Sequence, residues 1–344
     1  MSSRRQVTIS DIARHVGLTD MTVSRALNKP EKVKSETRDR ILAAARELGY
    51  VQNAFASHLR SRKNRLIGVV TASVDNPFYS EVIKAISQAA KQYDYTIMLI
   101  DTDGSPAREA VAIETLLSYQ VSGIILSPSS DADDYLPAYL ERLRATHLPV
   151  VMLDRILNVP DFSRVVLDNH LSGKLLGQLM VKKGIQRVLA LTGPCESHIT
   201  ERRLAGFQQA YAEAGHDLTL VQRPGDYTLP PAYRDMAAYL RDGERPEAVF
   251  GFNQLITLGA MRALHDAGIS RDDVLVFGID RLPYADIFDV SIPCAAHDTY
   301  QLGRDAFTLL FEAINDPGVA SREIVISPEL FVDPLPSHGA PFPG

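Results

Sequence analysis

Two groups of residues in this 344-residue sequence have the types and spacing for recognition chemistry. The first falls between Asp20 and Asn28. At helical spacing Val23 and Leu27 share one face, leaving Asp20, Met21, Thr22, Ser24 and Arg25 on the other. A guanidinium such as that of Arg25 can make a bidentate contact with a guanine edge, worth about 1–3 kcal/mol of discrimination, and a Met side chain can pack on a thymine methyl. Thr22 and Ser24 suit phosphate oxygens, contacts that set register. Asp20 is unfavourable beside phosphate unless it accepts from a cytosine amino group. The second group follows apolar runs that read as strands: Asp154-Arg155 after Val150–Leu153, Asp168 after Arg164–Leu167, Asn253 after a run ending at Phe252, and Asp280 after Val276–Ile279. Carboxylates and amides take paired hydrogen bonds from adjacent hydroxyls, and arginines hold anionic or hydroxyl oxygens. A strand-end carboxylate is also a common helix N-cap, so Asp168 and Asp280 carry both readings.

The elements that must position these groups are legible in outline. Thr8 precedes an apolar stripe at Ile9, Ile12, Ala13 and Val16, with Asp11 spaced for a capping box and Gly17 as the turn. Thr19 can cap a second helix from Asp20 to Asn28. Ser35 begins a third, with Ile41, Ala44, Ala45 and Leu48 inward and Gly49 as its stop. Two helices joined by Gly17-Leu18-Thr19 alone must cross sharply, which is helix-turn-helix geometry. From residue 66 the pattern changes to strands alternating with amphipathic helices. The expected strands are Leu66–Thr71, Thr96–Ile100, Gly123–Leu126, Val150–Leu153, Arg164–Leu167, Val188–Leu191, Ala248–Phe250 and Val274–Phe277, with helices such as Tyr79–Tyr93, Leu171–Lys183 and Glu201–Ala214 between. This alternation implies α/β architecture with doubly wound parallel sheets. The polar stretch Asn158–Ser163 suggests two lobes, with ligand binding expected beyond the carboxyl ends of their strands.

Composition narrows the classes. The chain is 45% hydrophobic and 23% charged, ordinary for a folded protein of two or three domains. Residues 1–65 hold 14 lysines and arginines against 6 aspartates and glutamates, a net charge of +8; the remainder carries −14 within a chain of −6. A basic head on an acidic body favours polyanion contact at one end. Cys195 and Cys294 have neither disulfide-framework nor metal spacing. With no secretory signal and no apolar run of membrane-spanning length, the expectation is a cytoplasmic protein without metal or cofactor. No Walker loop, HExxH, nucleophile elbow or paired CxxC appears, so no catalytic residue is assigned. Asp101-Thr102-Asp103-Gly104 reads as a turn, because Ala112 stands where a calcium loop needs Glu. Cys195 and His198 read as a polar loop.

These residues carry a specific family resemblance. Val7 through Ala13 to Gly17, Thr22 to Asn28, Ser35 to Tyr50, and Asn53-Ala54 through Leu59 resemble the head of the lactose-repressor/galactose-repressor family. The likeness continues collinearly to about residue 333. It implies DNA-binding roles for Thr8, Asp20, Met21, Thr22, Ser24, Arg25, Asn28, Asn53, Ala56 and Leu59. Within the segment Asn53–Arg60, similar to a hinge helix that orders on operator DNA, Leu59 would wedge into the minor groove and Ala56 would let paired hinge helices approach. In the body the resemblance implies a periplasmic-binding-protein-like sensor. Phe78 and Tyr79 of the Asp75–Tyr79 motif, Asp154, Arg155, Arg203 (three before Gly206-Phe207), Tyr227, Asn253 and Asp280 would face the effector. The chain departs from the family at Asn253-Gln254, where Asn-Asp is usual, and at Ile292–Asp298.

The implied organisation is an all-α helix-turn-helix head (1–52), a hinge (53–64), a sensor (65–333) and a flexible tail (334–344). The sensor would divide into an N-lobe of about 65–160 and 296–318 and a C-lobe of about 161–295 and 319–333. The implied function is a transcriptional regulator, by family default a repressor of carbohydrate-utilisation genes. It would bind a pseudo-palindromic double-stranded operator as a homodimer. The tail has no leucine heptads to join dimers. Arg155, Arg202 and Arg203 lean toward an anionic effector, a sugar acid or sugar phosphate rather than a neutral sugar. The alternative is a sugar-binding module with no regulatory DNA target, which the basic head opposes.

Overall fold

The computed structural model describes residues 7–50, 64–270, 272–288 and 290–332. The chain divides into two compact units, Met1–Asn64 and Arg65–Gly344. Asn53, Ala56 and Leu59 of the expected hinge, and the tail 334–344, lie outside the described residues.

The smaller unit contains helices Ile9–Val16, Asp20–Asn28 and Ser35–Glu47. Thr8 and Asp11 cap the first reciprocally: the Thr8 hydroxyl accepts from the Asp11 amide, and the Asp11 carboxylate accepts from the Thr8 amide at 2.9 Å. Gly17 ends that helix at φ 66°, a left-handed conformation that costs glycine little. Thr19 caps the second helix. Ile12, Val23 and Ile41, one from each helix, are fully buried, and Ala13, Ala26, Ala44 and Ala45 fill the space between them. The second helix therefore buries Val23 and Ala26, with Leu27 partly covered, which corrects the expected Val23–Leu27 pair. Alanines at the centre let the helices approach closely and leave the larger Leu27 at the rim.

The larger unit is built on two six-stranded sheets. In chain order the strands are β1 Leu66–Thr71, β2 Thr96–Asp101, β3 Ile124–Leu126, β4 Val150–Leu153, β5 Ser163–Leu167, β6 Arg187–Thr192, β7 Thr219–Pro224, β8 Ala248–Gly251, β9 Leu275–Ile279, β10 Cys294–Ala296, β11 Glu323–Ile326 and β12 Glu329–Phe331. The sheet orders are β11-β5-β4-β3-β1-β2 and β12-β10-β9-β8-β6-β7. Neighbours pair in parallel, as in β1 with β2 and β6 with β8, whereas β10 and β12 are antiparallel. The eight strands expected from periodicity are present. Four others escaped it: β7 is a polar, largely exposed edge, and β10, β11 and β12 are too short to show a period.

The lobe boundary differs from the expectation. Ser163–Leu167 was expected in the second lobe, yet β5 pairs with β4, Met152 opposite Arg164, and with β11 on its other side. Both strands belong to the first sheet, where Val165, Leu167 and Ile326 join a core containing Phe307. The chain thus crosses between lobes three times: after β5, between β10 and helix Thr299–Asn315, and between β11 and β12. Helix Thr299–Asn315 packs in the first-lobe core, as expected for 296–318.

In the second lobe, helices Asn169–Lys182 and His198–Ala214 cross in close contact. A Cβ at Gly173 would collide with the backbone carbonyl of Arg203, and one at Gly206 with the carbonyl of His170. Backbone on both sides leaves nothing flexible to yield. Gly206→Ala should therefore destabilise the larger unit by about 1–3 kcal/mol, the usual cost of overpacking, measurable by urea denaturation. An unchanged midpoint would mean that the helices can separate at no cost.

Candidate ligand cleft and nucleic-acid interface

On the head, the face opposite Val23 is polar and accessible. Met21 is 70% exposed and Arg25 is exposed, while Thr22 and Ser24 are half-buried. Several of the residues on this side have local work. The Thr22 hydroxyl is 2.9 Å from that of Thr19, and the Asn28 amide donates to the Ser24 carbonyl at 2.8 Å. The Thr8 hydroxyl belongs to the first helix cap. Asp20, awkward for base reading, accepts from the Ser10 hydroxyl at 2.5 Å and stands in the first turn of its helix, where negative charge is favourable. It ties the first two helices together, a sufficient reason for a carboxylate there.

In the larger unit a single cleft is lined by Phe78, Tyr79, Asp154, Arg155, Arg203, Tyr227, Asn253 and Asp280, together with Asn76, Leu167 and Ile199. All eight effector residues expected from the resemblance are brought together. Asp154 and Asp280 follow β4 and β9 directly, at φ 62° and 66°; Tyr227, in the turn after β7, has φ 67°. Left-handed backbone costs a non-glycine residue on the order of 1 kcal/mol or more and gathers at functional sites. Here it turns the chain sharply and aims side chains at the cleft.

The cleft is densely bonded. The Tyr79 hydroxyl donates to Asp154 Oδ2 at 2.8 Å and lies 3.0 Å from the Ser127 hydroxyl. Burial, reinforced by that carboxylate, raises the Tyr79 pKa far above the usual phenol range. Burial also raises the pKa of Asp154, opposed by the Tyr79 hydrogen bond and the charges of Arg155 and Arg203. Arg155 donates to the Ser129 carbonyl at 2.8 Å and sits over the Tyr227 ring, 5.4 Å from its centroid. Arg203, 4% exposed, donates to the Asn169 side chain at 2.8 Å and to the Phe252 carbonyl. The Tyr227 hydroxyl is held by Ser197 at 2.9 Å and Thr200 at 2.6 Å. Asn253 caps helix Gln254–Asp266 through the Ile256 amide at 2.8 Å, and its Nδ2 donates to the Tyr227 carbonyl at 2.9 Å.

The two strand-end carboxylates that carried two readings part company. Asp168 is an N-cap, accepting from the Leu171 amide at 2.9 Å. Asp280 lines the cleft, with His297 Nδ1 3.4 Å from it and His297 Nε2 3.1 Å from the Ser172 hydroxyl. The order Ser–His–Asp is that of a nucleophile triad, but Ser172 is fully buried and donates to the Asp168 carbonyl at 2.9 Å, so no substrate can reach it. Periodicity gave no notice of Ser127, Asn169, Ser197, Thr200 or His297, whose partners are distant in sequence. Ser127, Asn169 and His297 had one available signal, their places just beyond the ends of β3, β5 and β10.

Asn253 thus holds both a helix end and the ligand-facing Tyr227. Asn253→Ala should cost about 1–2 kcal/mol, the range for losing an N-cap. Asn253→Asp keeps the acceptor for Ile256 and should recover most of that loss in urea denaturation. Equal destabilisation by both would assign the energy to the Tyr227 contact instead.

Known proteins match this arrangement over both units. Residues 8–53 match the family of bacterial regulatory proteins, lacI family, and residues 67–318 match a periplasmic binding protein domain. The HTH-type transcriptional repressor PurR of Erwinia tasmaniensis is 30% identical over 328 residues, covering 94% of this chain and 95% of that one. PurR of Klebsiella pneumoniae is 29% identical over the same span. Among solved structures, the lac repressor dimer bound to operator and the anti-inducer ONPF superposes with a TM-score of 0.79 at 25% identity, covering 95% of this chain and 98% of that one. The complex of the transcriptional regulator CelR with cellobiose gives 0.69 at 25% identity, covering 95% and 99%. Among the described residues no helix is long and apolar enough to cross a membrane. A helix-turn-helix head, a two-lobed sensor and a relative 30% identical across nearly all of both chains lead to one conclusion: this chain belongs to the lacI family of bacterial regulatory proteins and is a DNA-binding transcriptional regulator, not an enzyme.

Proposed function

We propose that this protein is a repressor that binds a pseudo-palindromic operator as a homodimer and responds to a carbohydrate-type anion held between the sensor lobes. The observation that carries the effector reading is the bonding of Arg155 and Arg203. Both guanidiniums are turned into the cleft, and their hydrogen bonds go to carbonyl-type oxygens of Ser129, Asn169 and Phe252. Asp154 is engaged by Tyr79, and Asp280 faces His297. Neither carboxylate forms an ion pair with these arginines among the described residues. A guanidinium carries five N–H donors, so those not used by these bonds are available to the oxygens of an anionic ligand. Phe78 offers an aromatic side chain to a sugar ring, and Asp154 and Asp280 offer acceptors to its hydroxyls. The void left in the cleft is about 40 Å³, against roughly 300–1,000 Å³ for pockets that hold small molecules. Ligand entry therefore requires the lobes or the lining side chains to move.

The operator reading rests on the net charge of +8 over residues 1–65, the exposed Met21 and Arg25 on a second helix of recognition type, and the repressor names of the relatives. Asn53, Ala56 and Leu59 complete the proposed DNA-facing set, with Leu59 as the minor-groove wedge.

The effector reading is tested by calorimetry with glucose, gluconate and glucose 6-phosphate, and with a wider panel of their epimers. An acid or phosphate should bind more tightly than the matching neutral sugar, and a reversed order overturns the anion reading. Arg203→Ala should abolish the response of DNA binding to that compound; because Arg203 also ties Asn169 to Phe252, urea denaturation checks that the sensor remains folded. Arg155→Lys should weaken it, because an ammonium cannot bind two oxygens in a plane.

The head is tested separately by gel shift. Arg25→Ala should cost about 1–3 kcal/mol on the operator and relax preference at one base pair of each half-site. Log affinity should fall with log salt at about 0.9 per neutralised phosphate. Equal binding to operator and random DNA would leave the protein a sensor without a site-specific DNA target.

A further inference from the structure

We infer that Asp131 is a latch that holds the two sensor lobes together before any ligand binds, and that it positions the ligand-facing Tyr227 from across the cleft. Asp131 is 5% exposed and stands in the first-lobe loop between β3 and helix Tyr139–Thr146. Its carboxylate accepts from the Ile199 amide at 3.0 Å and from the Ser197 hydroxyl at 3.2 Å, both in the second lobe.

The chemistry of that contact is specific. The 17-residue helix His198–Ala214 begins at Ser197, which makes no side-chain capping bond to its own helix. A helix start leaves its first amides without intrahelical acceptors and carries a partial positive charge. Helices Asn169–Lys182, Gln254–Asp266 and Thr299–Asn315 meet this need with their own Asp168, Asn253 and Asp298. His198–Ala214 is capped instead by a carboxylate from the other lobe. Separation of the lobes would strip a buried carboxylate and a helix terminus of each other at once.

The loop that presents Asp131 is itself anchored. Glu109, fully buried, accepts from the Ser129 amide and from the hydroxyls of Tyr135 at 2.8 Å and Tyr139 at 2.5 Å. Arg155 takes the Ser129 carbonyl. On the other side, the same Ser197 hydroxyl that donates to Asp131 meets the Tyr227 hydroxyl, whose ring lies under Arg155. At the solvent edge His198 approaches Asp133 at 3.0 Å, an exposed pair that adds little alone. Asp131 thus connects an anchored first-lobe loop to the helix that carries Arg203 and to the tyrosine over the cleft. By fixing how often the empty sensor is closed, it would set the ligand-free level of DNA binding.

The test uses the full-length, ligand-free protein. Dyes at Val111→Cys and Asp242→Cys in a Cys195→Ser background report lobe separation by energy transfer, in samples diluted with unlabelled protein so that transfer within one chain is read. Hydrogen exchange of a peptide spanning residues 197–204 reports the helix start. Asp131→Ala should lower transfer efficiency and speed exchange at the helix start tenfold or more, while exchange in β8 and β9 stays at the wild-type rate. Asp131→Asn, which keeps an acceptor without charge, should fall between. Unchanged transfer with unchanged exchange would overturn the latch. So would faster exchange at the helix start with no change in transfer, which would make Asp131 a cap and nothing more. If Asp131→Ala speeds exchange in β8 and β9 as well, Asp131→Asn decides by the same two readouts.

Discussion

The guanidinium of Arg203 is the constraint on which the sensor's interior depends. A charged group 4% exposed must have oxygen partners in fixed positions, because an unsatisfied buried charge is far costlier than any packing defect. Those partners come from two places: Asn169, immediately past the first lobe crossover, and the Phe252 carbonyl, at the end of β8. Arg203 can reach both because its helix lies against Asn169–Lys182 with glycines at the crossing. Crossover, the end of a central strand and helix pair are thereby held in one arrangement around a positive charge.

Around that charge, the cleft is built from groups that satisfy one another. Tyr79 takes one oxygen of Asp154, Asn253 takes the Tyr227 carbonyl, and Ser197 and Thr200 share the Tyr227 hydroxyl. Three lining residues hold left-handed backbone. Strain of that kind persists where surrounding bonds over-determine the geometry, and here they do. The binding surface is consequently pre-shaped, and the remaining void of about 40 Å³ makes lobe geometry the variable that a ligand can act on.

The head follows a simpler logic. Three short helices cannot bury much area, so the cluster of Ile12, Val23 and Ile41 is closed by alanines and by strong caps at Thr8 and Thr19. With its inward face small, the second helix can leave Met21 and Arg25 in solvent. Asp20 belongs to this internal economy through Ser10, more than to base reading.

Local pattern determined a great deal by itself. Caps, glycine stops and apolar spacing specify the three head helices and eight of the twelve strands, and strand ends with Asp, Arg or Asn mark four of the lining residues, Asp154, Arg155, Asn253 and Asp280, because each of these signals acts within a few residues. Phe78, Tyr79, Arg203 and Tyr227 were reached through the family resemblance. What lay beyond local pattern was pairing at a distance. Strand β5 reads as a strand in isolation, but its sheet is chosen by β4 and by β11, about 160 residues away. Asp168 and Asp280 look alike after their strands, yet one caps a helix and the other faces the cleft with His297, since a distant turn decides what stands opposite. Asp131 carries no local mark at all. Its meaning comes from a helix start 68 residues later, and only the closed tertiary arrangement brings that positive terminus to a carboxylate that would otherwise be one more acid in a polar loop.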